Sequence, residues 1–137
     1  MANFSGKYLV ENKENVGAFL TAIGVGHAAQ MMGGMMKQQI VIEQEDNKVS
    51  FTTVVGSFSL GARQFTLGES KDETLKHSNL EAKVLLELQD KKLILTETPK
   101  DGLQRVITKE MLENGNLKET SQIGDIVSTC TLKKLEE

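Results

Sequence analysis

The chain has 137 residues, 39% of them hydrophobic and 26% charged, with a formal net charge of −3. Such a composition suits a single domain over 1–137 with a sizeable core and excludes a disordered chain. With no dense basic stretch, a nucleic-acid surface is not expected, and no apolar run reaches membrane-spanning length.

Gly6 to Lys13 reads as a first strand. The stretch over about 15–36 is the only long segment with helical periodicity. Val16, Phe19, Leu20 and Ile23 recur at helical spacing, with Asn15 placed to cap the start. Gly24-Val25-Gly26 breaks the pattern. A second apolar run, from His27 to Met36, carries Met31, Met32, Met35 and Met36. Together these predict two short helices split by a glycine turn, too small to fold alone.

Strand-like runs then alternate with turn signals to the end of the chain. They cover Gln38–Glu45, Lys48–Val55, Phe58–Leu67, a weak run Lys71–His77, Leu80–Leu88, Leu93–Thr98, Gln104–Leu112, Asn116–Gln122 and Ile126–Lys133. The turns between them include Asp46-Asn47, Gly56-Ser57, Lys100-Asp101-Gly102 and the tight-turn pair Asn114-Gly115. About ten strands at ~8–12-residue spacing fit an all-β sandwich or barrel. Short connections make sequence neighbours pair antiparallel, as an up-and-down meander. Such a meander leaves two edges unless it curls shut, so a ten-stranded antiparallel β-barrel is expected, its open end covered by the helical pair as a lid. The only proline, Pro99, falls at a strand end.

Signs of catalysis are missing. The histidines, His27 and His77, sit in no metal-ligand pattern, and Cys130 is distant from both in sequence. There is no nucleophile elbow, phosphate loop or dinucleotide fingerprint. Neither an enzyme, nor a metal, nor a cofactor is expected, and binding is the better-supported class. One cysteine precludes an intrachain disulfide. With a polar Met1-Ala2-Asn3 start and no apolar signal core, a cytoplasmic location is expected.

Four motifs, in order and correctly spaced, carry a resemblance. They are Phe4-Ser5-Gly6-Lys7-Tyr8-Leu9-Val10-Glu11-Asn12, Ala22-Ile23-Gly24-Val25-Gly26, Phe65-Thr66-Leu67-Gly68-Glu69 and Gly124-Asp125-Ile126-Val127. The whole chain resembles the intracellular lipid-binding proteins, which include fatty-acid-binding and cellular retinoid-binding proteins. The resemblance implies a ten-stranded clam with a helix-turn-helix lid. It implies a carrier of a long-chain fatty acid or similar hydrophobic ligand. A retinoid or other neutral-lipid carrier is the alternative, as is a protein-interaction module with a vestigial cavity.

This chain departs from the family pattern at several positions. Tyr8 stands where tryptophan is usual, Gln30 where an arginine is usual, and Gln38 where a proline is usual. Cys130 and Leu132 replace the last-strand Arg-x-Tyr that grips a ligand carboxylate in many members. The family's other arginine aligns with Lys109, and Arg105 shares its strand parity. The same parity turns Ile107 inward beside Lys109, Glu119 and Ser121 on the next strand, and Ser128, Cys130 and Leu132 on the last. Lys109 and Glu119 flank Asn114-Gly115 at similar distance, so cross-strand pairing is expected. These residues form the expected ligand site. The expected lid and portal comprise Val16, Phe19, Leu20, Ile23, Val25, Met32, Met36 and, by resemblance, Phe58. Between Asn15 and Met36 there is no lysine or arginine. Weak or no stable membrane binding is therefore expected, with release mainly through the aqueous phase, and the expected state is a monomer.

Overall fold

The computed structural model describes residues 2–27, 29–31, 36–75 and 79–135. Ten strands and one well-defined helix follow in chain order: β1 (Gly6–Glu14), α1 (Val16–Ala22), β2 (Gln38–Glu45), β3 (Lys48–Val55), β4 (Phe58–Thr66), β5 (Lys71–Thr74), β6 (Glu81–Gln89), β7 (Lys92–Pro99), β8 (Arg105–Met111), β9 (Leu117–Ile123) and β10 (Ile126–Lys134). The weak run beginning at Lys71 is a four-residue strand. The His77 end of that expectation lies outside the described residues.

All pairings are antiparallel, and the strand order is β4-β3-β2-β1-β10-β9-β8-β7-β6-β5. Sequence neighbours pair throughout with one exception. β4 and β5 are the two sheet edges, and β1 pairs with β10 to join the two halves. The meander therefore curls into a clam whose backbone ladder stays open between β4 and β5. β1 bends to serve both sheets: its register against β10 shifts between Glu11 and Glu14, and Asn12 adopts a positive φ of 52°. Such a bulge strengthens the local twist and turns the strand.

Alternating side chains build two separate apolar clusters. One fills the interior with Phe4, Tyr8, Ile42, Leu86, Leu93, Leu117 and Leu132 among its members. Tyr8 is fully buried, and its hydroxyl donates to the Phe4 carbonyl at 2.7 Å, which satisfies the one polar atom of the ring. The other cluster joins Phe19 and Ile23 to Ile123, with Leu20, Val25 and Ile126 packed around them. It seats α1 over the ends of β9 and β10.

The helical pair differs from expectation at both ends. Asn15 does not cap α1 through its side chain. It takes a left-handed conformation (φ 58°, ψ 22°), and its Nδ2 donates to the Val127 carbonyl at 2.9 Å, tying the helix to β10. The first helix ends at Ala22, and Gly24 follows at φ 96°, a conformation that favours glycine. Beyond the junction His27, Ala29, Gln30 and Met31 are helical. Gln30 Nε2 donates to Thr21 Oγ1 at 3.0 Å and to the Val25 carbonyl at 2.9 Å, linking the two helices. Met36 sits in a bend before β2 rather than in helix. Met32 lies outside the described residues. No helix among the described residues is long and apolar enough to cross a membrane.

Candidate ligand cavity

Strand alternation sets the inner wall. In the β8–β9 ladder Lys109 faces Glu119 and Ile107 faces Ser121; in β9–β10 Cys130 faces Glu119 and Ser128 faces Ser121. In β7–β8 Leu95 faces Ile107 and Glu97 faces Arg105. Beneath α1 part of this wall borders a cavity of about 290 Å³. Phe19 and Ile23 contribute to it from the lid. Ile40, Phe51, Leu75, Leu95 and Ile107 supply apolar wall, and Leu60 and Gly61 border it on β4.

Besides Thr53, the polar lining is made of charged side chains around two centres. At one, Lys109 Nζ lies 3.1 Å from Glu119 Oε1, with both side chains largely shielded from water at 9% and 17% exposure. The ammonium also stands 4.5 Å from the centroid of the Phe51 ring, a favourable cation–π distance. Cys130 donates from Sγ to Glu119 Oε2 at 3.2 Å, so both carboxylate oxygens are engaged. Burial pushes the Cys130 thiol well above the usual range. The Glu119 charge and its hydrogen bond add to this, opposed by Lys109 and Lys13. The thiol is therefore protonated and inert.

At the other, Arg63 bridges the open seam. Its Nε and Nη2 donate to the two Glu73 oxygens at 2.8 and 3.1 Å, and Nη2 also donates to Glu97 Oε2 at 2.8 Å. Burial alone would lower the Arg63 pKa, but hydrogen bonds and charge from Glu73 and Glu97 outweigh it and raise it. Glu97 is buried, and so is Arg105 opposite it. A second tie across the same seam runs from Lys71 Nζ to the Gln64 carbonyl. A larger concavity of about 660 Å³ lies around the β2–β3 turn and the β4–β5 connection. Charged residues such as Glu43, Glu45, Lys48 and Glu69 border it, and it lacks the apolar enclosure of the inner cavity.

Of the residues expected from sequence, Arg105, Ile107, Lys109, Glu119, Phe19 and Ile23 line the inner cavity. Ser121, Ser128, Cys130 and Leu132 are buried but stand outside its lining, and Leu132 belongs to the packed core. Leu20 and Val25 support the lid cluster, and Val16 is half-buried on α1. Phe58 is 66% and Met36 41% exposed; the Met36 sulfur approaches Gly56, in the turn that leads to Phe58. Both are therefore on the surface, outside the cavity lining. The reading from sequence missed Arg63, Glu73 and Glu97. The Leu93-x-Leu95-x-Glu97 alternation carried a signal, since it puts a carboxylate on the same face as two buried leucines. Among the described residues no three His, Cys, Asp or Glu side chains converge as metal ligands.

A pig liver fatty acid-binding protein is 34% identical to this chain over 134 residues, which cover 97% of this chain and 99% of the relative. The Schistosoma mansoni fatty acid-binding protein in complex with arachidonic acid superposes with a TM-score of 0.83 at 23% identity, covering 99% of this chain and 98% of that one. Human cRBP IV does so with a TM-score of 0.85 at 22% identity, covering 98% of this chain and all of that one. No family model matches the chain. The likeness to the solved structures establishes the shared clam, and the end-to-end identity with the pig protein adds common sequence ancestry: the chain belongs to the intracellular lipid-binding protein family, alongside the fatty acid-binding proteins.

Proposed function

We propose that this protein is a non-enzymatic cytoplasmic carrier that encloses one long-chain fatty acid, or a similar single-tailed hydrophobic molecule, inside its barrel. The observation that carries this reading is the inner cavity under α1, with an apolar wall and six charged side chains bordering it. Its volume of about 290 Å³ lies just below the ~300–1,000 Å³ range of ligand pockets. That size favours a slender single chain over a bulky multi-ring ligand. The pig relative's name and the arachidonic acid complex support the same class.

Burying a methylene contributes about 0.8 kcal/mol, so a long tail supplies on the order of 10 kcal/mol before the costs of binding. A charge-assisted hydrogen bond at the head adds about 1.5–3 kcal/mol. The tail thus dominates affinity, and the polar groups set selectivity. Loss of the family's Arg-x-Tyr at Cys130 and Leu132 alters head-group preference without removing uptake. Ligand-binding residues on this reading are Lys109, Arg105, Glu119 and Ile107 in the wall, with Phe19 and Ile23 in the lid. Ser121, Ser128, Cys130 and Leu132 back the wall, and Phe58 and Met36 mark the rim.

Solvent extraction of the purified protein followed by mass spectrometry, then titration of the stripped protein with long-chain lipids, tests this. One single-tailed lipid per monomer is expected. Failure of every long-chain lipid to bind the stripped, folded protein would refute the carrier reading.

A further inference from the structure

We infer that Glu119 acts as a built-in counter-ion that occupies Lys109 in place of a ligand carboxylate, so that the cavity selects a single-tailed lipid with an uncharged hydrogen-bonding head. This deepens the carrier reading and rests on it. The described lining residues carry matched charge: Arg63, Arg105 and Lys109 against Glu73, Glu97 and Glu119. Lys109 is held by Glu119 at 3.1 Å, and Arg63 by Glu73 and Glu97. A fatty-acid anion entering this space brings a negative charge with no excess cation to meet it.

The geometry around Glu119 makes its displacement costly. Lys109 approaches from β8, Cys130 from β10, and Phe51 of β3 packs against the Lys109 ammonium. Moving the carboxylate aside breaks the ion pair and the thiol hydrogen bond together. A hydroxyl or amide head has an easier route. It donates to Glu119 or accepts from Lys109 while the pair stays intact.

A fatty acid then enters together with a proton. With the Glu119 charge already on Lys109, a second ionised carboxylate there is disfavoured, so the ligand head carries the proton. The other charged groups in the cavity, Arg63, Arg105, Glu73 and Glu97, keep their mutual balance. The sign follows from linkage: the complex holds one proton more than free protein plus free carboxylate. Acid affinity therefore falls as pH rises, whereas alcohol affinity does not change.

The test is displacement of a neutral fluorescent probe from the stripped protein by palmitate and by hexadecanol, at about pH 6 and about pH 8. Near pH 8 hexadecanol should bind at least about tenfold tighter than palmitate, and palmitate should gain about tenfold or more on lowering the pH. In Glu119→Gln the preference should move toward palmitate by about tenfold and the pH dependence should flatten. Calorimetry of the unsubstituted protein in two buffers of different ionisation enthalpy gives an independent reading, with about one proton taken up per palmitate and none per hexadecanol.

Equal binding of the two ligands near pH 8, without proton uptake, would overturn the assignment. So would an unchanged preference in folded Glu119→Gln. Palmitate weakened by Arg105→Gln but indifferent to Glu119→Gln would place the acid at Arg105 and exclude Glu119 as the selector. If neither ligand displaces the probe and no other long-chain lipid binds, the carrier reading itself fails, and the role of Glu119 fails with it.

Discussion

Cys130 shows how one side chain's chemistry is set by its neighbours. In sequence it is a lone thiol where the family usually has a charged grip. In the fold it is buried, and it donates to Glu119 while Lys109 sits on the other carboxylate oxygen. Burial and the adjacent negative charge both disfavour a thiolate. The native protein should therefore resist iodoacetamide at mildly alkaline pH, reacting at least about a hundredfold more slowly than the urea-unfolded chain. Similar labelling rates in the two states would contradict the buried hydrogen bond. The sign of the pH effect on stability follows. The folded thiol keeps its proton above the pH at which the unfolded chain releases it. Its contribution is complete below the ordinary thiol pKa and declines as pH rises beyond it.

At the scale of an element, α1 has few means of holding itself. It spans seven residues, has no side-chain cap and carries no acidic residue in its first turn. Isolated helices of that length are unstable in water, so its order derives from docking. Phe19 and Ile23 anchor it to Ile123, and Asn15 fastens its start to the Val127 carbonyl. Asn15→Ala removes that hydrogen bond and puts alanine at φ 58°, a conformation asparagine tolerates better. A loss of about 1–2 kcal/mol of lid stability is expected, read as faster amide exchange in α1 with β6 and β7 unaffected. Asn15→Gly, which accepts the same φ, should lose less than Asn15→Ala. The reverse order would show that backbone conformation at this position is unimportant.

Over the whole molecule, side chains finish what the backbone leaves open. β4 and β5 are unpaired sheet edges, and exposed edges invite association with other chains. Arg63 laces them internally by joining β4 to Glu73 on β5 and to Glu97 on β7. Its guanidinium lies 5.3 Å from the centroid of the Phe65 ring, which itself packs edge-on to Phe51 at 5.8 Å. Arg63→Met leaves the Glu97 carboxylate buried beside an apolar side chain. Removing one partner of such a pair costs about 3–5 kcal/mol, and the 31% exposure of Arg63 argues for the lower end. Urea unfolding should show that loss, and an unchanged midpoint would mean that water replaces the arginine without penalty. The seam and the Lys109–Glu119 pair together explain how a cavity can be strongly charged and still accept an apolar chain: Arg63, Lys109 and the three glutamates already engage one another.

Much of this arrangement follows from local sequence alone. Period-two alternation and turn residues locate the strands to within a few positions, because both depend on neighbouring residues only. The meeting of Lys109 and Glu119 is of the same kind, since a tight turn at Asn114-Gly115 pairs residues equidistant from it. Inward parity likewise marks Arg105, Ile107, Ser121, Ser128 and Cys130. The seam is different. Arg63 meets Glu73 ten residues on and Glu97 thirty-four residues on. Those contacts depend on how far the sheet curls before its edges approach, a sum of twist and bulges along every strand. Burial of Leu132 in the core, the exposure of Phe58 and Met36, and the use of Asn15 as a tie rather than a cap were decided at the same level. Sequence determined which residues face inward, through the fixed geometry of a strand. Only the tertiary structure decided which of them meet around open space, because curvature is a property of the whole sheet.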